Sequence, residues 1–425
     1  MSDSKEIHID IYQSRYELYQ EDKVSVYKEG PQDISAQHRY AKINSSLGQG
    51  FLKNMIKSVA ETDFSNLSKE NKKLIQKLVD GVTSEVGRAL VGVAFLQMTI
   101  KAICPEQSIR LHKGTTRGGS FSWKDGISMR TIDSNYNTPF LREYNLLNVN
   151  KYGVFMTRSL AENYPYSKLY KAEMRGPFAE WIEIVDALEN ESMPADLALR
   201  YITALLQNRS ETFILFANEV VAKAQKRKNL TLLGVQKIME NFFNSTSYSA
   251  RAFEVVIHGL MQAMQECNLL DDVRVVPLSQ MRSANKKHGN IGDVELKRGN
   301  IVVESWDAKY GKPYLRDELE ELRDKISCSP GVEIAGFITD DIIDKRPDVM
   351  DRVKEIQQEM NVSIQLLSFD EWVYYQTNSL EESTKNILAE KWLIAVVESF
   401  AQKRPNLAPI DEPCDEWLHD LAKCI

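Results

Sequence analysis

Two strand-like runs joined by a short turn constrain the fold of this chain more than any other feature. The first run begins at Asp293, and the second is the apolar run Ile301–Trp306. Between them, residues 297–300 read Lys-Arg-Gly-Asn, and a glycine next to an asparagine favours a hairpin turn. A run as apolar as the second indicates a central, buried strand. The sequence therefore predicts an antiparallel hairpin whose second strand lies inside a larger sheet.

Ionisable residues are expected to meet on this hairpin. Adjacent antiparallel strands would bring Asp293 close to Asp307, and residues two apart share a face, so Asp307 and Lys309 should point the same way. By the same rule Glu295 shares a face with Asp293 and is a reserve acidic candidate. Two carboxylates and an ammonium can hold Mg²⁺ against a phosphate and activate a water beside it. The alternative is a solvated hairpin with scattered charges.

The arrangement resembles the PD-(D/E)XK nuclease superfamily, in which an Asp begins the second core strand and an acid-x-Lys triplet follows on the third. Gly292-Asp293 stands where the family has Pro-Asp, and Asp307-Ala308-Lys309 matches the triplet. The family also tends to carry an acidic residue on the preceding helix. The segment Ser249–Val256 matches that element, with Glu254 in the acidic position. Residues from about 247 to 370, less than a third of the chain, follow the family's core in order.

The resemblance implies a role for each of these residues. Asp293 and Asp307 would be Mg²⁺ ligands, with the Ala308 carbonyl as a third, because Mg²⁺ takes hard oxygen ligands and keeps several waters. Lys309 would orient the attacking water or neutralise charge in the transition state. Glu254 would touch the metal, or a second metal, through water, and its alternative is an ordinary carboxylate on a helix surface.

The length of 425 residues predicts two domains or one elaborated domain. Residues 1–240 pattern as a mainly helical domain and are the candidate for DNA recognition, although residues 1–45 look like a loosely packed polar arm or a docking extension. Residues 241–425 alternate strands and helices and end in a helical tail. This alternation predicts a mixed-sheet, restriction-endonuclease-like α/β core flanked by helices, within a chain that is α+β overall.

Basic residues near aromatic, glycine and hydroxyl residues mark candidate DNA contacts. The segment 112–124 has this mixture, since glycine permits close backbone approach and arginine can read guanine. A glycine-rich hairpin without a ligand is an equally good interpretation of that segment. Solvated surface lysines are the alternative for the basic residues of the second domain. The candidate DNA-binding residues are Lys113, Arg117, Trp123, Lys124, Lys286, Lys287 and Lys312.

Composition limits the function further. The formal charge of −7 means that DNA binding would need a segregated basic face, with the acidic run 317–321 turned away. The five scattered cysteines favour neither a zinc site nor a disulfide framework, and a reducing, cytoplasmic setting fits them. The polar N-terminus is unlike a signal peptide, and no segment suggests a membrane partner. We find no P-loop, Rossmann or G-x-S-x-G motif, so no nucleotide cofactor or motor is expected.

These observations lead to an expected function. The first hypothesis is a type II-like restriction endonuclease, which depends on Mg²⁺, cuts double-stranded DNA at a short sequence and acts as a homodimer, since a symmetric site favours two-fold symmetry. Two alternatives stay open at this point. One is a repair or recombination nuclease that recognises DNA structure, and the other is an inactive DNA-binding subunit with a nuclease-like fold.

Overall fold

The structure is a computed structural model that describes residues 7–20, 23–82, 85–113, 122–279, 290–409 and 414–425. The chain forms two compact units, Met1–Phe213 and Ile214–Ile425. Its fold is mixed α/β, with a three-stranded antiparallel sheet in the first unit and a five-stranded mixed sheet in the second. The prediction of a mixed sheet flanked by helices, preceded by a largely helical N-terminal part, is confirmed.

The first unit begins with an antiparallel sheet and continues as helices. Its strands are β1 (His8–Ile11), β2 (Arg15–Gln20) and β3 (Lys23–Lys28). Its helices are α1 (Ile34–Gly48), α2 (Phe51–Lys57), α3 (Lys69–Asp80), α4 (Glu85–Ile103), α5 (Met129–Ile132), α6 (Thr138–Glu143) and α7 (Phe178–Glu189), followed by α8 (Ala195–Lys226), which crosses into the second unit. A π-helical turn at Asp133–Asn137 and short 3₁₀ turns at Val154–Met156 and Arg158–Ala161 complete it.

Local sequence signals set several of these boundaries. The Ser68 hydroxyl accepts a hydrogen bond from Asn71 N at 3.1 Å and so caps the first turn of α3. The apolar helix α4 is buried along its central part and ends just before Pro105, which cannot continue a helix. No helix in the described ranges is both long and apolar enough to span a bilayer.

The expectation of a loose N-terminal arm is wrong over the three strands β1–β3. One side chain each of β2 and β3, Leu18 and Tyr27, is buried in a small core with Trp123 and Leu111, which holds the sheet in place. The alternating pattern of Arg15–Gln20 was the available signal for a strand.

The second unit surrounds its mixed sheet with helices. Its helices are the end of α8, then α9 (Leu232–Ser245), α10 (Ser249–Glu266), α11 (Arg316–Ser327), α12 (Pro347–Met360), α13 (Phe369–Thr377), α14 (Glu382–Phe400) and α15 (Cys414–Cys424). Its strands are β4 (Arg274–Val275), β5 (Val294–Arg298), β6 (Ile301–Lys309), β7 (Ile334–Thr339) and β8 (Ser363–Ser368). They are ordered β4-β5-β6-β7-β8, antiparallel from β4 to β6 and parallel from β6 to β8.

The division between the units falls inside α8, whereas the sequence placed it at residues 240/241, within α9. The aromatic face of α9 explains why this helix belongs to the second unit. Phe242 packs on Phe400 with ring centroids 5.2 Å apart, and Phe243 packs on Phe253 at 4.9 Å. Both rings of α9 are fully buried by partners from α14 and α10.

Candidate active site

The β5–β6 hairpin fixes the position of two aspartates. The strands are joined at Gly299-Asn300, and Gly299 has the positive φ of +61° that such a tight turn favours. Val294 pairs with Trp306 across the hairpin. Asp293 directly precedes β5 and so lies level with Asp307, and its Oδ2 accepts a hydrogen bond from Ala308 N at 3.1 Å. The hairpin and the approach of Asp293 to the end of β6 are therefore as the sequence predicts.

Gly292 allows this approach. A Cβ at that position would lie 2.6 Å from the Trp306 carbonyl oxygen and 2.7 Å from Ser305 Oγ, both closer than atoms can approach. The absence of a side chain therefore lets the backbone lie directly on β6 just before Asp293. This close approach is the physical reason why glycine, and not the proline of the family pattern, stands here.

Asp307 and Lys309 lie on one face of β6 and form an ion pair. Lys309 Nζ is 2.9 Å from Asp307 Oδ2, and the two side chains are only 21% and 8% exposed. The ammonium also lies 5.8 Å from the centre of the Phe337 ring on β7. The expected shared face of these residues is thus present, and the pair is mostly shielded from solvent.

The pKa values of Asp307 and Lys309 depend on burial and on a third ionisable group, Asp293. Burial raises the pKa of Asp307 well above its ordinary value, the neighbouring Asp293 carboxylate raises it further, and Lys309 opposes both. Burial works against the charge of Lys309, but the Asp307 and Asp293 carboxylates raise its pKa above the ordinary value. Two carboxyl groups share one ammonium, so the cluster favours a proton on Asp307 or a cation beside the two groups.

Glu254 joins this cluster from α10. Its side chain is 21% exposed, and Arg251, one turn earlier, donates a hydrogen bond to Glu254 Oε2. Burial raises the pKa of Glu254 to about 7; the Arg251 guanidinium opposes this shift, Asp293 adds to it and Lys309 opposes it. These interactions place Glu254 beside the aspartate pair and not on an open helix surface.

Ala308 presents its backbone to the same place. Its N–H donates to Asp293, and in an extended strand the N–H and C=O of one residue point to the same side. The Ala308 carbonyl is therefore directed towards the side of β6 on which Asp293 lies. Its position is consistent with the third ligand that the family resemblance implies.

The donor set fits a hard divalent cation. Mg²⁺ is commonly held by one or two carboxylates and completes its shell with water, which Asp293, Asp307 and a peptide oxygen allow. The raised pKa of Asp307, to which burial and Asp293 both contribute, supports the fit, because a cation would relieve the same repulsion as a bound proton. In the described ranges, no group of three or more His, Cys, Asp or Glu side chains is arranged to hold a metal, so water would supply the remaining ligands.

Glu295, the reserve acidic candidate, has another role. Its Oε1 accepts a hydrogen bond from Ile291 N at 2.6 Å, and Gly292 N also donates to it. Burial raises the pKa of Glu295, and the nearest opposing charges are Lys297 and Lys325. Glu295 therefore holds the backbone that leads into Asp293 and does not face the cluster.

The acidic run on α11 does not turn away from the site as a whole. Glu318 forms an ion pair with the exposed Lys312 at 3.0 Å, and its charge contributes to raising the pKa of Lys309. The expectation that this acid faces away is wrong for Glu318. The reason is its partner, because Lys312 lies three residues after the end of β6 and Glu318 pairs with it.

The candidate DNA-binding residues have different environments. Lys124 is exposed and Lys113 is half-buried. Trp123 is fully buried, with Tyr16 packed edge-on against it at 5.0 Å, so its ring has no open face on which a base could stack. Its place in the structure is the core beneath β2 and β3. Arg117, Lys286 and Lys287 lie outside the described residues.

The described residues nearest to Lys286 and Lys287 in sequence, Ser279 and Asn290, contact each other. Asn290 Nδ2 donates to Ser279 Oγ at 2.7 Å. Arg251 donates to the Ser279 carbonyl at 2.6 Å while it also holds Glu254. Sequence reasoning missed Arg251. The signal was its spacing three residues before Glu254, at which opposite charges on a helix meet.

No protein-family model matches this chain, and no curated protein sequence matches it significantly. The geometry of the cluster is therefore the basis for assigning a function.

Proposed function

We propose that this chain is an Mg²⁺-dependent endonuclease that hydrolyses phosphodiester bonds of double-stranded DNA. One observation carries the proposal. Asp293, Asp307 and Lys309, which come from both strands of the β5–β6 hairpin, form one largely buried cluster, and Glu254 of α10 adjoins it. Ionisable groups with pKa values shifted by burial and by a specific charged partner gather at functional sites.

The order of elements supports the same proposal. The helix that carries Glu254 (α10) precedes an antiparallel hairpin (β5–β6). Two parallel strands (β7 and β8) follow on the far side of β6. This arrangement resembles the PD-(D/E)XK nucleases, in which the acids and the lysine have these positions. Gly292 departs from that pattern, and the close approach of its backbone to Trp306 accounts for the departure.

Each residue has a defined task in the proposed reaction. Asp293, Asp307 and the Ala308 carbonyl would hold Mg²⁺, which would polarise the phosphate and lower the pKa of a bound water. Lys309 stays protonated beside Asp307 and offers its ammonium to the attacking water or to charge that develops on the phosphate. Glu254, with a pKa of about 7, can accept a proton, or a hydrogen bond from a metal-bound water, at the edge of the cluster.

The proposed substrate is double-stranded DNA that carries a short specific sequence. A homodimer would cut it in the manner of a type II restriction endonuclease. The support is that the sequence carries no motor motif and that a separate unit of comparable size is available to recognise DNA. A structure-specific nuclease and an inactive DNA-binding subunit make different predictions for one experiment, so that experiment decides among them.

The experiment is digestion of a long natural DNA in the presence of Mg²⁺, followed by mapping of the ends. Discrete fragments with one common end sequence are expected. A smear, or nicks confined to branched DNA, would favour a structure-specific enzyme, and no cleavage with either Mg²⁺ or Mn²⁺ would favour an inactive subunit.

A pair of variants ties the activity to the cluster. Asp307→Ala is expected to abolish cleavage while leaving DNA binding largely intact, since the loss of a metal ligand removes several kcal/mol of transition-state stabilisation. The matched control is Asp324→Ala, because the Asp324 side chain is 80% exposed on α11. Cleavage at the wild-type rate by the Asp307→Ala protein would refute this site.

A further inference from the structure

Arg251 is the most buried cation next to the proposed site. Its side chain is 9% exposed and lies in the first turn of α10, which begins at Ser249. It donates one hydrogen bond to Glu254 Oε2 and another to the Ser279 carbonyl oxygen at 2.6 Å. It therefore links the acidic residue of α10 to the chain that follows β4.

The pairing of Arg251 is not complete. Its Nε is buried and has no hydrogen-bond partner among the described residues. A guanidinium stays charged at all ordinary pH values, and a buried charge is strongly unfavourable without a close counter-ion. The counter-ion here is Glu254, so the folded protein gains from Arg251 only while that carboxylate stays beside it.

The same contact restricts Glu254. Its carboxylate is held on one side by Arg251, and Asp293 and Lys309 act on it from the hairpin. Without Arg251, nothing else in the described part of α10 forms an ion pair with Glu254. Its side chain would then be free to choose other rotamers.

We propose that Arg251 is a positioning residue of the nuclease site, which holds the Glu254 carboxylate in one orientation beside Asp293 by anchoring it to the Ser279 carbonyl. This inference rests on the proposed function. Arg251 is not among the groups that would hold the metal, because its two terminal guanidinium nitrogens donate to Glu254 and to the Ser279 carbonyl. It acts through Glu254, in the way that residues behind a metal ligand fix the orientation of that ligand.

A double-mutant cycle tests whether Arg251 acts through Glu254. The proteins are wild type, Arg251→Gln, Glu254→Gln and the double variant, with Arg251→Lys as the conservative change. Three quantities are measured for each: the cleavage rate, the affinity for Mn²⁺ by calorimetry and the melting temperature. Arg251→Gln is expected to lower the rate and the Mn²⁺ affinity by about 10- to 100-fold. Arg251→Lys should recover part of both.

The decisive comparison is between Glu254→Gln and the double variant. If Arg251 acts through Glu254, adding Arg251→Gln to Glu254→Gln produces no further loss of rate or of Mn²⁺ affinity. Losses that multiply, or an Arg251→Gln protein that keeps wild-type rate and affinity, would overturn the inference. The double variant also protects the test against misfolding, because removing both members of a buried pair leaves no unpaired charge.

Failure of the proposed function gives a different result. If wild-type protein binds Mn²⁺ but cuts no DNA, the nuclease assignment fails, while the Mn²⁺ affinities of the four proteins still show whether Arg251 and Glu254 are coupled. If all four proteins bind Mn²⁺ equally, the positioning role of Arg251 fails, whatever DNA the wild type cuts.

Discussion

Lys309 Nζ lies 2.9 Å from Oδ2 of Asp307, two residues earlier on the same face of β6. This contact neutralises only part of the local charge, because Asp293 faces Asp307 from the start of β5 and Glu254 adjoins from α10. The raised pKa of Asp307 means that the cluster favours a bound proton, or a cation in its place, over a second bare negative charge. This preference is the physical basis of the proposed metal site.

Lys309→Ala is expected to abolish cleavage and to preserve Mg²⁺ binding. The ammonium is proposed to act on the water and the phosphate and not as a ligand, and its removal leaves both aspartates in place. Cleavage assays with calorimetric Mg²⁺ titration check this outcome. The control is Lys354→Ala on α12, because the Lys354 side chain is 66% exposed and pairs with an equally exposed Asp351, so its rate should stay close to wild type. Loss of Mg²⁺ binding in a folded Lys309→Ala protein would give Lys309 a structural role instead.

Gly292→Pro restores the family pattern and is nevertheless expected to inactivate the protein. A ring at this position would collide with the Trp306 carbonyl oxygen, which lies 2.6 Å from the point that a Cβ would occupy, and would remove the N–H that donates to Glu295. Gly292→Ala should show the steric effect alone, with a loss of stability of about 1–3 kcal/mol. The measurements are cleavage rate and denaturant unfolding.

A glycine with free space around it provides the control for this pair. At Gly48 the nearest atom to an added Cβ is Tyr136 Oη at 3.9 Å, so Gly48→Ala should leave both activity and stability close to wild type. Full activity of Gly292→Pro would show that Asp293 reaches Asp307 without the close backbone approach described above.

Metal binding is expected to stabilise the protein more at high pH than at low pH. The folded-state pKa values of Asp307 and Glu254 are raised, that of Glu254 from 4.5 to about 7. A carboxyl group whose pKa is higher in the folded than in the unfolded protein contributes its full stability below the unfolded-state pKa. That contribution is lost as the pH rises through the folded-state pKa. Mg²⁺ competes with those protons. The increase in melting temperature on adding Mg²⁺ should therefore be larger near about pH 8 than near about pH 6.

An acid pair elsewhere in the same unit is a second source of pH dependence, which the experiment has to separate from the cluster. Burial also raises the pKa of Glu240 to about 7, with Asp370 adding to the shift, so the stability without metal varies over the same range for a second reason. Only the difference caused by Mg²⁺ reports on the cluster. That difference should disappear in an Asp307→Asn, Glu254→Gln protein, and an equal Mg²⁺ effect at both pH values in wild type would contradict the assignment.

Arg117→Ala is expected to weaken specific DNA binding by about 1–3 kcal/mol and to relax discrimination at one base pair. The reason is the sequence around it, in which glycines and hydroxyl residues accompany the arginine between Lys113 and Lys124. Binding to a panel of sequences measures the effect. Lys124→Ala is the comparison, because an exposed lysine that contacts phosphate should weaken all sequences equally. Unchanged affinity and preference in Arg117→Ala would place recognition elsewhere.

The sequence by itself determined the local elements of the site. The turn at Gly299-Asn300, the apolar run of β6 and the two-residue spacing of Asp307 and Lys309 are short-range patterns, and short-range patterns fix strands, turns and shared faces. The order of helices and strands after residue 247 followed from the same kind of signal.

Only the tertiary structure decided which side chains are buried, and beside what. Trp123 looks like a nucleic-acid contact in its polar, glycine-rich segment, yet β2 and β3 cover it. Glu295 has the strand spacing of a site residue, yet it binds the backbone before Asp293. Arg251 became visible only when α10 was placed beside Ser279. Burial and charge pairing depend on residues far apart in the chain, and no local pattern contains that information.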